Sequence, residues 1–351
     1  MPVGKSITIA VDAMGGDHGP DTVLAGLAQA RSLYPDITFL IYGDDSVNTA
    51  LADHPALEGC STVHVTETQI SADDKPSQAL RRGRDSSMGR AIQAVKSGEA
   101  DVAVSAGNTG ALMALAKFIL RTQQGIDRPA LISPIPTLRG ESVMLDLGAN
   151  LECDAHNLAQ FAVMGAAYVR TVLGLSTPSV GLLNVGVEEL KGKEAIREAG
   201  QILRHSNHLN INFQGFVEGT DISSGRVDVI VTDGFTGNVA LKTTEGTARF
   251  IGTLLEQAFR SSLMTKLGYA LARPGLQSLR DHLDPNNHNG GVFMGLNGLV
   301  VKSHGGANVH GIASAVSTAR EMARNNLISL VGDELTAIVE DAPENDENGG
   351  A

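Results

Sequence analysis

The sequence predicts a doubly wound α/β fold built on a mostly parallel sheet. Short apolar runs alternate along the chain with longer amphipathic segments, the order that places helices on both faces of a parallel sheet. The runs are continuous rather than alternating, as in VDVIVTD (227–233), so their strands are covered on both sides. Glycine takes 40 of 351 positions against only 12 prolines, an excess expected where strands turn tightly into helices. No Pro/Ser-rich linker and no internal repeat interrupts the pattern. Residues 1–339 are therefore expected to form a single α/β domain.

In chain order, the β-branched run SITIAV predicts a strand over 6–11, and Pro20 opens a helix over 20–34. ITFLI (37–41) and VHV (63–65) are the next strands, followed by a long helical pattern over 76–96 that Pro76 again opens. A strand at 101–105 then leads into the apolar helix 109–121. Strands at 130–135 and 142–146 precede a helix at 154–173 that begins on Asp154. A strand at 180–184, a helix at 188–205 and strands at 210–217 and 227–231 follow. A helix over 237–271, a strand at 298–301 and a helix over 308–330 close the pattern.

A net charge of −12 argues against nucleic acid as a partner, since a phosphate backbone would be repelled. Residues 340–351 hold Glu340, Asp341, Glu344, Asp346 and Glu347 without apolar anchors and read as an acidic disordered tail. Two cysteines, Cys60 and Cys153, make neither a disulfide framework nor a metal cluster, and a reducing cytoplasm is the expected compartment. The N-terminus runs directly into a strand without the design of a signal peptide, and no apolar run is long enough to cross a bilayer. His205 and His208 offer only a weak i, i+3 metal spacing on a polar helix end, so no metal is expected.

Ligands of such sheets gather where strands end and helices begin. Six strand ends here carry Gly beside Asp, Asn, Thr, Glu, Lys or His. These are Asp12, Gly15, Gly16 and Asp17; Asn108, Thr109 and Gly110; Asp146 and Asn150; Asn184, Glu188, Lys191 and Gly192; Asp233, Gly234, Gly237 and Asn238; and Lys302 and His304. Glycines admit close backbone approach and helix N-termini favour anions, so the set predicts a site for phosphate. The named nucleotide motifs are missing. No G-x-G-x-x-G follows the first strand, and Gly186–Lys193 misses the P-loop by one extra residue and by Glu194 in place of Ser or Thr. There is no G-x-S-x-G elbow.

Residues 257–280 reverse the local sign, with Arg260, Lys266, Arg273 and Arg280 and no acid. Phe259, Leu263, Met264, Leu267 and Leu271 recur at helical spacing beside them, which fits a helix packed in a dimer or one resting on anionic lipid. Phe259, Leu263, Lys266, Leu267 and Arg273 are the candidate membrane contacts. An acidic protein surface would be drawn to the same stretch.

Taken together, the loops resemble those of the phosphate acyltransferase family PlsX over about residues 7–330. The resemblance rests on DAMGGDHGP (12–20), SAGNTGA (105–111), LDLGAN (145–150), LLNVGVEELKG (182–192), GFVEGTDI (215–222), DVIVTDGFTGN (228–238) and VVKSHGGAN (300–308). It implies formation of acyl-phosphate from acyl-[acyl-carrier protein] and inorganic phosphate. It also implies an isocitrate/isopropylmalate dehydrogenase-like fold related to phosphotransacetylases, in a homodimer without cofactor. The product would pass to a membrane glycerol-3-phosphate acyltransferase for phosphatidic acid synthesis, with the enzyme held peripherally on the inner face of the cell membrane.

The chemistry is consistent with that resemblance. Phosphate, with a second pKa of about 6 to 7, is already a nucleophile at neutral pH, and a thiol of pKa about 8.5 leaves readily. Such a reaction needs an anion held beside a thioester and a stabilised oxyanion, not a triad. Lys191, Lys302, His304 and Asn184 are the expected catalytic residues. Gly15, Gly16, Asn108, Thr109, Gly110, Asn150, Gly192, Gly234, Gly237 and Asn238 are expected to bind phosphate or substrate. Asp12, Asp17, Asp146, Glu188 and Asp233 are expected to organise the loops. An NAD(P)-linked hydroxyacid dehydrogenase and a non-catalytic acyl-ligand sensor at the membrane are the alternatives.

Overall fold

A computed structural model describes residues 6–332 apart from 72, 207–209, 285 and 288. The acidic tail and His208 lie outside the described residues. The chain runs β1 (Ile7–Asp12), α1 (Gly19–Leu33), β2 (Ile37–Gly43), α2 (Asp45–Leu51), β3 (Ser61–Val65), α3 (Pro76–Arg82), α4 (Ser87–Ser97), β4 (Val102–Ser105) and α5 (Thr109–Leu120). It continues through β5 (Ala130–Thr137), β6 (Gly140–Leu145), α6 (Ala155–Leu173), β7 (Ser179–Leu183), α7 (Glu194–His205), β8 (Asn212–Val217) and β9 (Val229–Val231). The last elements are α8 (Gly234–Arg260), α9 (Leu263–Leu283), β10 (Gly291–Met294), β11 (Leu299–Lys302) and α10 (Val309–Arg324).

All ten predicted strands form, and the differences lie at breaks the periodicity hides and in α9, which runs to Leu283, past the expected end at 271. The pattern over 76–96 is two helices: Gly83–Asp85 tightens to a 3₁₀ turn, and buried Ser86 restarts α4 by accepting from Gly89 N–H. The pattern over 237–271 is also two, because Ser262 caps α9 by accepting from Thr265 N–H. The helix expected from residue 188 starts only at Glu194, after Gly192 has turned the chain at φ +88°. The pattern over 308–330 is broken as well: α10 ends at Arg324, and after a turn at 325–326 the chain is helical again over 327–332. Strand β10 and helix α2 were not predicted; both are short, and β10 is flanked by glycines.

Eleven strands form one sheet in the order β3-β2-β1-β4-β11-β10-β5-β6-β9-β7-β8. Every antiparallel pairing involves β5 or β10, and all other neighbours are parallel. Those two central strands therefore reverse the sheet: β1–β4 and β11 run one way, and β6–β9 the other. Successive residues face opposite sides. Ile9, Phe39 and Val301 pack on one face with Leu24, Leu27, Phe161, Leu203 and Val316 of α1, α6, α7 and α10. Ala10, Ala103, Phe293 and Val300 pack on the other with Met88, Ile92, Leu112 and Leu115 of α4 and α5. Each fully buried Phe, Leu or Ile contributes about 1.5–3 kcal/mol relative to an exposed one.

Helix α8 joins this second face only at its base, where Ala240 and Leu241 pack against the core. Glu245 is its last buried residue among those described. Beyond it α8 and α9 pack on each other as a protruding hairpin, leaving Phe250, Leu263 and Leu271 at 62%, 84% and 79% exposure. No helix among the described residues is long and apolar enough to cross a membrane.

Candidate active site

The sheet reversal divides the predicted loops into two clusters. Lys302 pairs with Ser105 on one side and Gly291 on the other. Val292 pairs with Ile132, so the same row continues through Ser133, its partner Met144, and Ile230. Strands β4 and β11 end at this row and leave the sheet in one direction. Strands β6 and β9 end one residue past it in the opposite direction. The loops after β1, β4 and β11 thus leave this row in one direction and those after β6, β7 and β9 in the other, so the two clusters flank it.

In the first cluster, buried Asp12 accepts from Ser105 Oγ at 2.6 Å and from Met14 N at 3.3 Å, while burial holds its pKa above the usual carboxylate range. At Gly15 a Cβ would fall 2.6 Å from Gly107 N, so the β1 and β4 loops touch backbone to backbone. Gly16 lies against Ala106 and Gly305. Asp17 N–H donates to Gly305 O at 2.8 Å and joins the β11 loop to them. Asn108 caps α5 by accepting from Ala111 N–H at 3.0 Å, which leaves the N–H groups of Thr109 and Gly110 at an anion-favouring helix start.

Lys302 ends β11 with its ammonium turned back over these loops. Its Nζ donates to Ala106 O at 3.2 Å and to Ser303 O. Desolvation pushes its pKa down to about 8, and the Asp12 carboxylate opposes that shift. His304 Nε2 lies 2.8 Å from Glu245 Oε1, and Lys242 Nζ lies 3.0 Å from Glu245 Oε2. Burial works against the Glu245 charge, but hydrogen bonds from His304 and Lys242 prevail and hold the carboxyl at about 2. The β11 loop is fixed from behind by Asn289, which accepts from His304 N–H at 2.9 Å and donates to Ser303 Oγ at 2.8 Å.

The second cluster is organised chiefly by Asp146. Its fully buried carboxylate accepts from Leu131 N, Ala149 N and Asn150 N at 3.0, 3.0 and 2.6 Å, and from Asn150 Nδ2 at 2.9 Å. Asn150 Nδ2 also donates to Pro129 O at 2.8 Å, so this amide braces the loop. Asn184 spans the next loop, donating to Lys191 O at 3.0 Å and accepting from Val185 N–H at 2.9 Å. Asp233 caps α8 through Thr236 N–H at 2.7 Å and meets Lys193 Nζ at 3.4 Å. Gly234 N–H donates to Asn150 O at 2.7 Å. Lys191 is exposed and paired with Glu188 at 2.7 Å; their hydrogen bond lowers the acid's pKa and raises the amine's. Burial pushes the nearby Cys153 thiol up to about 12, which leaves it a neutral packed group at physiological pH.

A groove of about 300 Å³ crosses the sheet face between the two clusters. Leu131, Ser133 and Ile135 of β5 line it, and Leu241, Lys242, Glu245 and Ala248 of α8 form a wall. Thr109, Lys302 and His304 enter it from the first cluster, Leu147 and Asn238 from the second. Of the predicted binding and catalytic residues, Thr109, Lys302, His304 and Asn238 thus meet in one cavity. The other ten, Lys191, Asn184, Asn150, Gly192, Gly15, Gly16, Asn108, Gly110, Gly234 and Gly237, do not line it. Lys242, Glu245 and Asn289 were not predicted. An i, i+3 Lys–Glu pair looks like any solvated helix face, although its apolar neighbours Ala240 and Leu241 were a signal.

The candidate membrane contacts lie on the hairpin. Leu263 and Leu267 are 84% and 59% exposed, Lys266 and Arg273 are exposed, and Phe259 packs on Tyr269 with ring centres 5.4 Å apart.

Residues 7–330 match a family model described as fatty acid synthesis protein. The phosphate acyltransferase of Xanthobacter autotrophicus is 55% identical over 327 residues, covering 93% of this chain and 92% of that one. That of Rhodospirillum centenum is 56% identical over 337 residues, covering 96% and 95%. Among solved structures, the EutD phosphotransacetylase of Staphylococcus aureus superposes with TM-score 0.58 at 16% identity, covering 91% of this chain and 95% of its own. The 4-hydroxythreonine-4-phosphate dehydrogenase of Klebsiella pneumoniae does so with TM-score 0.53 at 13% identity, covering 91% and 98%. At those identities the two structures speak to the fold, which is the predicted one. The chain belongs to the phosphate acyltransferase family and is an enzyme of lipid synthesis that transfers an acyl group to phosphate.

Proposed function

We propose that the enzyme makes acyl-phosphate from acyl-[acyl-carrier protein] and inorganic phosphate, by direct attack of phosphate on the thioester, in the groove between α5 and α8. The observation that carries this reading is the desolvated Lys302 ammonium, which shares that cavity with Lys242, His304 and the start of α5. Cations and unpartnered N–H groups at one place suit an anion, and the apolar β5 floor beside them suits an acyl chain.

Phosphate held by Lys302, Lys242 and Thr109 presents an oxygen to the thioester carbonyl. The new C–O bond forms as the carbonyl takes up negative charge, which His304 and the α5 N–H groups stabilise. The C–S bond then breaks, and the thiolate leaves and takes a proton from solvent. Glu245 holds His304 and Lys242 in position. Lys191 and Asn184 belong to the second cluster, and their catalytic contribution is a separate part of the proposal. Asn238 is positioned to meet the acyl end of the groove.

Acyl-phosphate is a reactive mixed anhydride, so transfer to a membrane glycerol-3-phosphate acyltransferase, toward phosphatidic acid, is the proposed next step. The exposed apolar hairpin supports a homodimer and a peripheral place on the anionic inner face of the cell membrane, from the cytoplasm. Hydroxylamine trapping tests the activity. Acyl-carrier thioester should give the acyl hydroxamate far faster with enzyme and phosphate than with enzyme alone, and a rate that does not depend on phosphate would overturn the reading.

A further inference from the structure

We propose that Arg81, Arg82 and Arg84 of the α3 end, with Arg121 and Phe118 of the adjoining α5 end, form the docking surface for the acidic carrier protein that presents the acyl thioester; this rests on the acyl-carrier reading above. Residues 75–90 hold Lys75, Arg81, Arg82, Arg84 and Arg90 against Asp85 alone, in a chain of net charge −12. Arg81, Arg82 and Arg84 are exposed, and no carboxylate among the described residues pairs with them. Two guanidinium groups sit over one aromatic ring: Arg84 lies 4.6 Å and Arg121 5.7 Å from the centre of Phe118, which is itself 38% exposed. Leu80 beside them is 37% exposed. An open aromatic framed by arginines is the composition of binding hot spots, here with the sign that an acidic helical surface matches.

Placement ties this patch to the groove. Helix α3 packs along α5, and a Cβ on Gly110 would meet Pro76 Cγ at 3.1 Å. Asn108 Nδ2 reaches Asp74 O at 3.5 Å, and a Cβ on Gly83 would meet Leu115 Cδ1 at 3.0 Å. The start of α3 thus stands at the rim beside Thr109. Arg82 lies six residues further on, roughly 9 Å at the α-helical rise. A carrier bound there stays outside the cavity while a flexible arm delivers the thioester inward.

The basic stretch of the hairpin fits this partner less well. Its exposed Leu263, Met264, Leu267 and Leu271 make an apolar face whose burial favours lasting association. A carrier must leave after every turnover, and charge steering gives fast encounter with fast release.

The test compares two acyl donors, a carrier thioester and an uncharged N-acetylcysteamine thioester. The double variant Arg81→Glu/Arg82→Glu should raise KM for the carrier thioester about tenfold or more, with kcat retained and the salt dependence of KM flattened. Activity with the small thioester should be unchanged, and Arg81→Gln/Arg82→Gln should fall between. An unchanged carrier KM, or equal losses with both donors, would overturn the proposal. So would a carrier-specific KM rise in Lys266→Glu/Arg273→Glu instead, or a loss of anionic-vesicle binding alone in the Arg81/Arg82 variant. Wild-type enzyme that uses the small thioester and refuses the carrier thioester would refute the carrier reading itself, before any arginine is changed.

Discussion

Glu245 Oε1 lies 2.8 Å from Nε2 of His304, which ties the buried base of α8 to the loop that follows β11. The same carboxylate holds Lys242 at 3.0 Å, so one acid positions two cationic or hydrogen-bonding groups on the groove. Glu245→Gln keeps the shape and removes the charge. We expect a fall in kcat of about tenfold, an altered pH profile, and partial rescue by Glu245→Asp. Stability adds a second readout. The folded carboxyl, at about 2, lies below its unfolded value of 4.5, so its contribution is complete above pH 4.5 and is lost as pH falls toward 2. The Tm difference between wild type and Glu245→Gln should therefore be larger at pH 7 than at pH 3.

Lys302 titrates at about 8 because its ammonium is desolvated, and it carries its charge below that value. The KM for phosphate should rise as pH is raised through about 8, and phosphate itself should oppose the rise by favouring the charged lysine. Lys302→Met should lower kcat/KM for phosphate by about 10² to 10³, while Lys302→Arg should retain more activity and lose the alkaline limb. Steady-state kinetics across pH 6.5–9.5, an interval of about three units around that value, checks both. Lys191→Ala provides the comparison from the second cluster: unchanged acyl-phosphate formation would remove Lys191 from the catalytic set.

Gly237 sits where an added Cβ would lie 1.9 Å from Asp146 O and 2.9 Å from Thr232 Cγ2. Backbone cannot yield there without moving the Asp146 loop. Gly237→Ala should destabilise by about 3 kcal/mol or more, seen in denaturant melts, whereas Gly246→Ala on the same helix meets nothing within 4 Å and should be neutral or stabilising.

Leu263 and Leu267 present apolar surface at the start of α9. Changing both to Glu should release the protein from anionic vesicles in sedimentation while activity in solution persists. Retained vesicle binding would contradict the membrane assignment, and a halved molar mass with unchanged vesicle binding would assign these leucines to the dimer alone.

Much of the fold is legible because both-face burial writes itself into runs such as ITFLI and VDVIVTD, and tight turns demand glycine where they do. Helix breaks at Gly83 and Ser262 are less visible, since a buried cap or a Ser–Thr capping pair leaves the apolar spacing on either side intact. Strand direction leaves no local signature at all. Gly291–Met294 is four residues long, yet with β5 it reverses the sheet, so the Asp146 and Lys302 loops leave one row of residues in opposite directions. Glu245 escaped notice for a related reason, because its partner His304 is 59 residues away in the chain.

Direct attack by phosphate is the central claim, and thiol release at stoichiometric enzyme tests it most directly. Enzyme mixed with acyl-carrier thioester in the absence of phosphate should release no thiol; adding phosphate should then release thiol and acyl-phosphate in equal amounts. One equivalent of thiol per site released before phosphate is added would reveal an acyl-enzyme and contradict the account.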